Sequence, residues 1–565
     1  VTRLRWLTSG ESHGPSLAAT IEGLPAGLPL DEEHIAVDLA RRQKGYGRGG
    51  RMKIETDRAR IIAGVRHGAT LGGPLTMLIE NRDHANWLTR MKVGALAAGE
   101  DPGARVTLPR PGHADLAGGL KYEADDLRDV LERASARETA ARVALGAVAK
   151  ALLQSVDISI GSAVLSIHDV DARPALECVP DAEFEAARLS LKADQSDVRA
   201  ADDTAAPRMV AAIQQAQKRR DTVGGTFEVR ATGVPPGIGS YAQWDRRLDG
   251  RLLMALGSIQ AIKAAEVGDG WSGARRFGTE VHDPILRTGP AITRPSNHAG
   301  GTEGGVSNGQ PIVVRAAMKP IATVSNALPS VDLSSGLADR AHIERSDTCA
   351  VPAAAVVGEA VVALCLADAL LDTWGADTLA ALRQQVRAAW RRARRLPSHL
   401  FLCGLSASGK TTVGRLVSEA LALPFVDLDS EIEKASGRTV REIFAQDGEA
   451  AFRAREIAML RTVAAGERAV VSLGGGTVLF PAARDVLRRS GDTFWLKAPV
   501  DLLASRLSGD ASRPLLAGQD PAEALGKLET ARGDVYAMVA DATVDATARP
   551  ELVAQRVVGA WGALP

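Results

Sequence analysis

The residues best suited to chemistry form one contiguous run, Gly404-Leu405-Ser406-Ala407-Ser408-Gly409-Lys410-Thr411. An apolar stretch, 400–403, precedes it, and a stretch with helical character, 412–421, follows. The pattern G-x-x-x-x-G-K-[ST] between a strand and a helix predicts a phosphate-binding loop. Its glycines let successive N–H groups and the helix N-terminus face a phosphate, Lys410 neutralises the outer phosphates, and Thr411 offers a hydroxyl to magnesium. An ATP or GTP site is the expectation. Such a loop normally follows the first strand of its domain, yet some four hundred residues come before it. A separate domain must therefore be built first.

That first stretch holds several reactive candidates in separated positions. His13 lies in G-E-S-H-G at a strand end, where it is either an ordinary core or surface histidine or a group poised against a ligand. The run Arg41-Arg42-Gln43-Lys44-Gly45-Tyr46-Gly47-Arg48 reads as a solvated basic loop or as a clamp for a multiply charged anion. His113 sits in Arg110-Pro111-Gly112-His113-Ala114-Asp115, again beside glycine and close to an arginine. An Ala-rich amphipathic helix is predicted over 131–153, with Ser135 and Arg137 near its start, where free N–H groups favour an anion. The glycine-dense run 300–309 is either a flexible loop or backbone wrapped around a cofactor. Arg345-Ser346-Asp347 precedes a further buried helix. Five arginines (42, 48, 110, 137 and 345), two histidines and Asp347 together suit proton transfer on a strongly anionic substrate.

The elements that must position these groups need more than one core. At 565 residues, two or more domains are expected. The 68 basic and 68 acidic residues cancel, which argues against nucleic acid or membrane as a partner of the whole chain. Cys178, Cys349, Cys365 and Cys403 show no C-x-x-C or metal-ligand spacing and fit reduced cytosolic thiols. The start of the chain has no apolar signal segment, and no run is expected to reach the ~18 apolar residues of a membrane span. A soluble cytoplasmic enzyme acting on small molecules is the expectation.

The motifs G-E-S-H-G, R-P-G-H-A-D, E-R-A-S-A-R-E-T, G-G-T-E-G-G-V-S-N-G, M-K-P-I-A-T and R-S-D-T-C-A-V-P-A-A resemble chorismate synthase over residues 1–377. The resemblance implies a β-α-β sandwich, a homotetramer, and loss of phosphate and a ring proton from 5-enolpyruvylshikimate 3-phosphate, with reduced FMN required. It implies proton-handling roles for His13 and His113 and an acid/base role for Asp347. Substrate anions would meet Arg42, Arg48, Arg110, Arg137 and Arg345, with Arg42 and Arg48 also tied to NADPH. Flavin contacts would fall on Arg133, Ala134, Ser135, Gln260, Ala261, Gly304, Lys319, Pro320, Ile321, Ala322, Thr323 and Arg345.

After the phosphate loop, strands expected at 424–428, 470–473 and 493–496 alternate with helical stretches, the pattern of a parallel sheet covered on both faces. Asp427-Leu428-Asp429 and Gly474-Gly475-Gly476 fall at strand ends, where such sheets bind ligands. With Arg453, Arg506, Arg513 and Arg532 they resemble shikimate kinase over 398–561. That resemblance implies shikimate contacts at Asp429, Arg453, Gly475 and Arg532. It places ATP contacts at Ala407, Ser408, Gly409, Lys410, Thr411, Thr412 and the lid residue Arg513, with Arg506 nearby. Thr411 would ligate magnesium, while Lys410 and Asp427 would be catalytic. Ala407 departs from the family pattern, where many members carry an extra glycine. The expected organisation is a synthase domain over 1–385, a basic solvated linker over 386–398 ending at Pro397, and a three-layer P-loop kinase over 399–565. A flavin-holding scaffold with a merely regulatory nucleotide module is the alternative, and retention of Lys410, Asp429, Arg453, Arg513 and Arg532 argues against it.

Overall fold

Antiparallel alternation in the first part of the chain and parallel apolar strands in the last part produce two different architectures. The computed structural model describes residues 3–49, 56–344, 346–394, 398–507 and 520–564. It divides into one unit of residues 1–282 and 297–382 and another of 283–296 and 383–565.

In the first unit, β1 (Arg5–Ser9), β2 (Ser16–Glu22), β3 (Ala59–Ala63) and β4 (Leu75–Glu80) form an antiparallel sheet in the order β1-β2-β4-β3. Leu17, Ala19 and Ile21 alternate onto its inner face and are fully buried. The strands β5 (Ser159–Ile167), β6 (Val170–Asp171), β7 (Gly225–Thr232), β8 (Ile262–Val267) and β9 (Ile312–Met318) form a second antiparallel sheet, ordered β8-β9-β7-β5-β6. The helices of this unit include α1 (Glu32–Gln43), α2 (Asp115–Tyr122), α3 (Arg128–Ala134), α4 (Thr139–Gln154) and α5 (Val351–Trp374). Helix α4 packs on β2 and on α5, and α5 packs on β5 and β7, so the helices fill the space between the sheets. This is the β-α-β sandwich.

Helix α5 is apolar all round and is buried on every side. It overturns the expectation that no run reaches the length of a membrane span: its 24 residues pass on length and composition, but they form a core. Gly146 of α4 lets the two helices approach closely, since a Cβ there would lie 2.3 Å from that of Ala360. Glu359, in the middle of α5, accepts from Arg41 (2.7 and 2.8 Å), Lys150 (2.8 Å), Ser162 (2.6 Å) and Ser190 (2.6 Å). Burial opposes its charge, but the surrounding cations outweigh burial and hold the carboxyl well below its ordinary range. The cluster pins α1 to α5 and so fixes the backbone of the next residue, Arg42. At the C-terminal end of α5, Asp368 accepts from the backbone N–H of Leu4 at 2.8 Å, and Asp377 pairs with Arg3 at 2.9 Å.

The helix expected over 131–153 is broken. Ser135 is extended (φ −62°, ψ 145°) and its hydroxyl caps Arg137 N–H, which separates α3 from α4 and turns both residues toward one cavity.

In the second unit, β10 (His399–Cys403), β11 (Phe425–Asp427), β12 (Val470–Ser472), β13 (Gly491–Lys497) and β14 (Ala542–Asp545) form an all-parallel sheet ordered β11-β12-β10-β13-β14. Every residue of β10 is buried, as a strand covered on both faces requires. The helices include α6 (Leu379–Arg394, whose residues from 383 onward belong here), α7 (Lys410–Leu421), α8 (Leu428–Ser436), α9 (Val440–Ala465, broken at Gly448, φ +81°), α10 (Pro481–Ser490), α11 (Pro521–Val539) and α12 (Pro550–Gly562). Among the described residues of the stretch expected to be a solvated linker, only Arg392 is exposed. Arg394 is buried against Asp492, and Arg391 donates to Asp492 (3.0 Å) and Asp541 (2.8 Å). The physical reason is the apolar stripe of α6, where Val386, Ala389 and Trp390 are buried and carry the cations down with them.

Candidate active sites

In the first unit, strand ends, the turn at Ser135 and the loop before α5 enclose a cavity of about 470 Å³. His13, His113, Asp347, Arg42, Arg48, Arg110 and Arg137 all line it, although they are spread from residue 13 to 347.

Each histidine is backed by a buried carboxylate. His13 Nδ1 is 2.9 Å from Glu132, which also accepts from the His13 backbone N–H at 2.8 Å. The ring stacks on Trp87 with centroids 3.9 Å apart. His113 Nδ1 lies 2.6 Å from Asp115, which is fully buried and accepts from Arg110 Nε at 2.7 Å. Such pairing favours the Nδ1–H tautomer and leaves proton exchange to Nε2. Burial works against the Asp115 charge, but His113 and Arg110 outweigh it and hold the carboxyl well below its usual range. Glu132 is likewise lowered despite burial, by His13 and Arg128.

The arginines are similarly pre-paired. Arg42 donates to Thr139 (2.9 Å) and Asp57 (3.2 Å), and Arg137 donates to Asp57 (2.5 Å) and Asn81 (2.8 Å). Burial, with Arg48 and Arg137 close by, pulls Arg42 down to about 10, opposed by Asp57, so it remains a cation at neutral pH. Arg48 pairs with Asp347 at 2.9 Å, and Asp347 also accepts from Gly49 N–H at 2.6 Å. Among the expected flavin contacts, Ala134, Ser135, Gln260, Ala261, Lys319, Ile321, Ala322 and Thr323 line the same cavity. Arg133, Pro320 and Gly304 do not, and Arg345 lies outside the described residues. Arg133 instead donates to the backbone of Thr8. Within the run 300–309, Gly300 and Gly301 pack backbone against backbone, since a Cβ at Gly300 would lie 2.3 Å from Gly268 N and one at Gly301 2.4 Å from Pro311 O, whereas Gly304 has open space beside it.

The second unit encloses a cavity of about 840 Å³ at the C-terminal ends of its strands. Residues 406–413, Asp427, Asp429, Arg453, Gly475, Arg506 and Arg532 line it, while Arg513 lies outside the described residues. Thr411 Oγ1 donates to Asp427 at 2.7 Å, and Lys410 Nζ reaches the carbonyls of Gly404 and Leu405, both at 3.0 Å. Arg532 donates to the Gly475 carbonyl at 3.0 Å. Arg453 donates to the fully buried Glu456 at 2.8 Å. Burial, then the nearby Glu456 and Asp427, push Asp429 up to about 6. Ala407 occupies the left-handed region at φ +62°.

The family model for chorismate synthase matches residues 4–371. The chain belongs to the chorismate synthase family.

Relatives support the assignment along the whole synthase part. The chorismate synthase of Rubrobacter xylanophilus is 53% identical over 69% of this chain and 97% of its own length, and that of Chlorobaculum tepidum is 51% identical over 70% and 99%. A crystal structure of chorismate synthase matches with 42% identity and a TM-score of 0.56, covering 70% of this chain and all of that one. The shikimate kinase family model matches residues 406–561. A shikimate kinase from Acinetobacter baumannii, in complex with shikimate, is 34% identical over 30% of this chain and 94% of that one, with a TM-score of 0.28. The chain is thus a chorismate synthase fused to a shikimate kinase, a bifunctional enzyme of the shikimate pathway. In the synthase cavity, sequence reading missed Asp57, Glu132 and Asp115, the carboxylates behind the cations. Asp115 could have been found, because it lies two residues after His113. Asp57 follows a glycine-rich basic run with nothing local to mark it.

Proposed function

We propose that the synthase cavity binds 5-enolpyruvylshikimate 3-phosphate with reduced FMN, and that the kinase cavity binds shikimate with ATP and magnesium. The observation that carries the first reading is the convergence of four described arginines, two carboxylate-backed histidines and Asp347 on one cavity. A substrate with two carboxylates and a phosphate needs that much positive charge. The residues also fit a flavin: Gln260 Oε1 is buried in this wall without a hydrogen-bond partner among the described residues. Ala134, Ser135, Gln260 and the stretch 319–323 would hold it. When bound, reduced FMN would supply electron density to the C–O bond that breaks. His113 and His13 then hold or move protons at Nε2, Arg42, Arg110 and Arg137 orient the anion, and Asp347 holds Arg48 and is available as the acid/base group.

In the kinase, Lys410 neutralises charge on the transferred phosphoryl group, and Asp429 orients the attacking hydroxyl. Arg453 and Arg532 pair with the shikimate carboxylate. The buried Ser408 Oγ, without a hydrogen-bond partner among the described residues, and the left-handed Gly409 (φ +93°) fit a phosphate cradle. Thr411 and Asp427, 2.7 Å apart, fit magnesium, which takes one or two protein oxygens together with phosphates.

NADPH-linked flavin reduction at Arg42 and Arg48, a homotetramer built through the synthase part, and a cytoplasmic location complete the reading. Its support is the family resemblance together with the exposed Trp244, Trp271 and Phe277 as candidate subunit contacts. The deciding experiment assays purified full-length protein with shikimate plus ATP, and separately with enolpyruvylshikimate phosphate plus reduced FMN. Lys410→Ala should abolish only the first activity. Loss of both, or of neither, would overturn the assignment. Flavin reduction by NADPH alone and the mass in solution test the finer points.

A further inference from the structure

Along α6, Arg383, Arg387 and Arg391 recur every fourth residue and so share one helix face. Opposite them, Asp534 is the carboxylate that acts on Arg383. Arg387 Nη2 donates to the carbonyls of Ala537 and, at 3.1 Å, Met538. Arg391 donates to Asp541 at 2.8 Å. Arg387 and Arg391, on successive turns, thus contact 537–538 and 541, and Arg383 one turn earlier feels the charge of Asp534; these positions are the last turns of α11 and the residue pair beyond its end. Carbonyls in a last helical turn have no intrahelical donor and sit at the negative end of the dipole, so a guanidinium there is favourable. Asp541 in turn accepts from Thr493 N–H at 2.8 Å, tying the grip to β13. Arg394 is buried and Arg387 half-buried, and burial lowers both guanidinium groups from their ordinary range.

Helix α11 is also the element that carries Arg532 to the shikimate wall. Arg532 and Tyr536 both donate to the Gly475 carbonyl, at 3.0 and 2.5 Å. We propose that residues 383–394 are a positioning element of the kinase: by gripping the end of α11 they set where Arg532 meets shikimate. The inference rests on the proposed role of Arg532 as a shikimate contact. A binding group shifted by about 1 Å loses much of its effect, even when the change lies far from the chemistry.

The test uses the full chain and reads both KM values of the kinase, with chorismate formation in the same protein as the control for an intact preparation. Arg387→Leu should raise the KM for shikimate about tenfold, leave the KM for ATP within about twofold, and leave chorismate formation unchanged. Arg387→Lys should recover part of the loss, because an ammonium can serve the same carbonyls without the planar fork. In an Arg532→Ala background, Arg387→Leu should add little further, since both act through one contact. An unchanged shikimate KM, equal rises in both KM values, or full additivity with Arg532→Ala would overturn the inference. If Arg532→Ala itself left the shikimate KM unchanged, the site reading beneath would fall instead. Should Arg387→Leu prove insoluble, Arg387→Lys and Arg391→Gln carry the same comparison.

Discussion

In the synthase cavity Arg42 and Arg137 share the buried carboxylate of Asp57, and Arg110 and His113 share that of Asp115. In the kinase cavity Lys410 is turned back onto carbonyls of its own loop, and Asp427 meets only a hydroxyl and a backbone N–H in the contacts observed. In the synthase wall these cations already hold buried counter-charges before ligand arrives. In the kinase wall Arg453 is paired in the same way with Glu456, but Lys410 and Asp427 are groups whose natural partners are borne by the ligand. The difference follows from the chemistry. An elimination inside a dry pocket gains from dipoles and charges fixed beforehand. A phosphoryl transfer must admit, wrap and release a highly charged nucleotide. Damage to the synthase wall should therefore appear in folding and catalysis together, and damage to the kinase wall mainly in binding.

Asp57→Ala probes that contrast most strongly. It leaves Arg42 and Arg137 buried without their shared counter-charge and should cost the synthase unit about 3–5 kcal/mol of stability, read by denaturant unfolding. A loss below about 1 kcal/mol, the range of an exposed pair, would mean that the wall is not pre-paired. His113→Ala should lower chorismate formation about a hundredfold or more, the scale of general acid–base catalysis, with phosphorylation of shikimate intact. Asp115→Asn, which retains shape but forfeits the tautomer lock, should cost at least about tenfold. Equal activity in Asp115→Asn and the parent would separate the carboxylate from the chemistry.

On the kinase side the expected effect is a pH limb. Asp429 stands at about 6 against an ordinary value of 3.8. Since the folded value is the higher one, its contribution to the stability of the ligand-free kinase is full below the ordinary value and is lost as pH rises through about 6. Activity runs the opposite way, because only the ionised carboxylate accepts the substrate hydroxyl, so kcat/KM for shikimate should rise through about pH 6. Glu456→Gln removes one of the charges that raise Asp429 and should move this limb to lower pH. A flat profile between pH 5 and 7 would remove Asp429 from that role. The smallest effect is expected at Ala407, whose left-handed φ is unfavourable for any residue with a Cβ. Ala407→Gly should stabilise the kinase by about 1 kcal/mol, and a lower melting temperature would contradict this.

What could be read from sequence divides along the same line. Residues 404–411 are contiguous, so their chemistry and setting were legible together, and the neighbouring strands fell within one or two residues of expectation because each is one short apolar run. The synthase site is assembled from residues 13 to 347 through antiparallel pairings that no local pattern encodes, so only the family resemblance gathered them. Its carboxylates stayed invisible because Asp57 and Glu132 look like surface charges until a fold buries them. The arginines of α6 misled for a related reason. A dense basic run just before a proline looks like a solvated linker, although Val386, Ala389 and Trp390 on the same helix form a packing stripe. Helix α5 was legible as a buried helix, but not as long enough to span a membrane, because Glu359 and Asp368 interrupt its apolar run.

The hydrogen bond from Leu4 to Asp368 also imposes an order in time. The first strand of the synthase cannot complete its surroundings until the chain has been made through the end of α5, because the helix that fills the middle layer is nearly the last element of its unit to appear. For most of translation the two sheets lack the core that would separate them from solvent, and their apolar inner faces depend on late contacts of very long sequence separation. The kinase sheet and the helices that follow its first strand are drawn from residues 399–562, a shorter span than the 364 residues that separate Leu4 from Asp368. After dilution from denaturant, the later-synthesised half should therefore be the first to regain its activity.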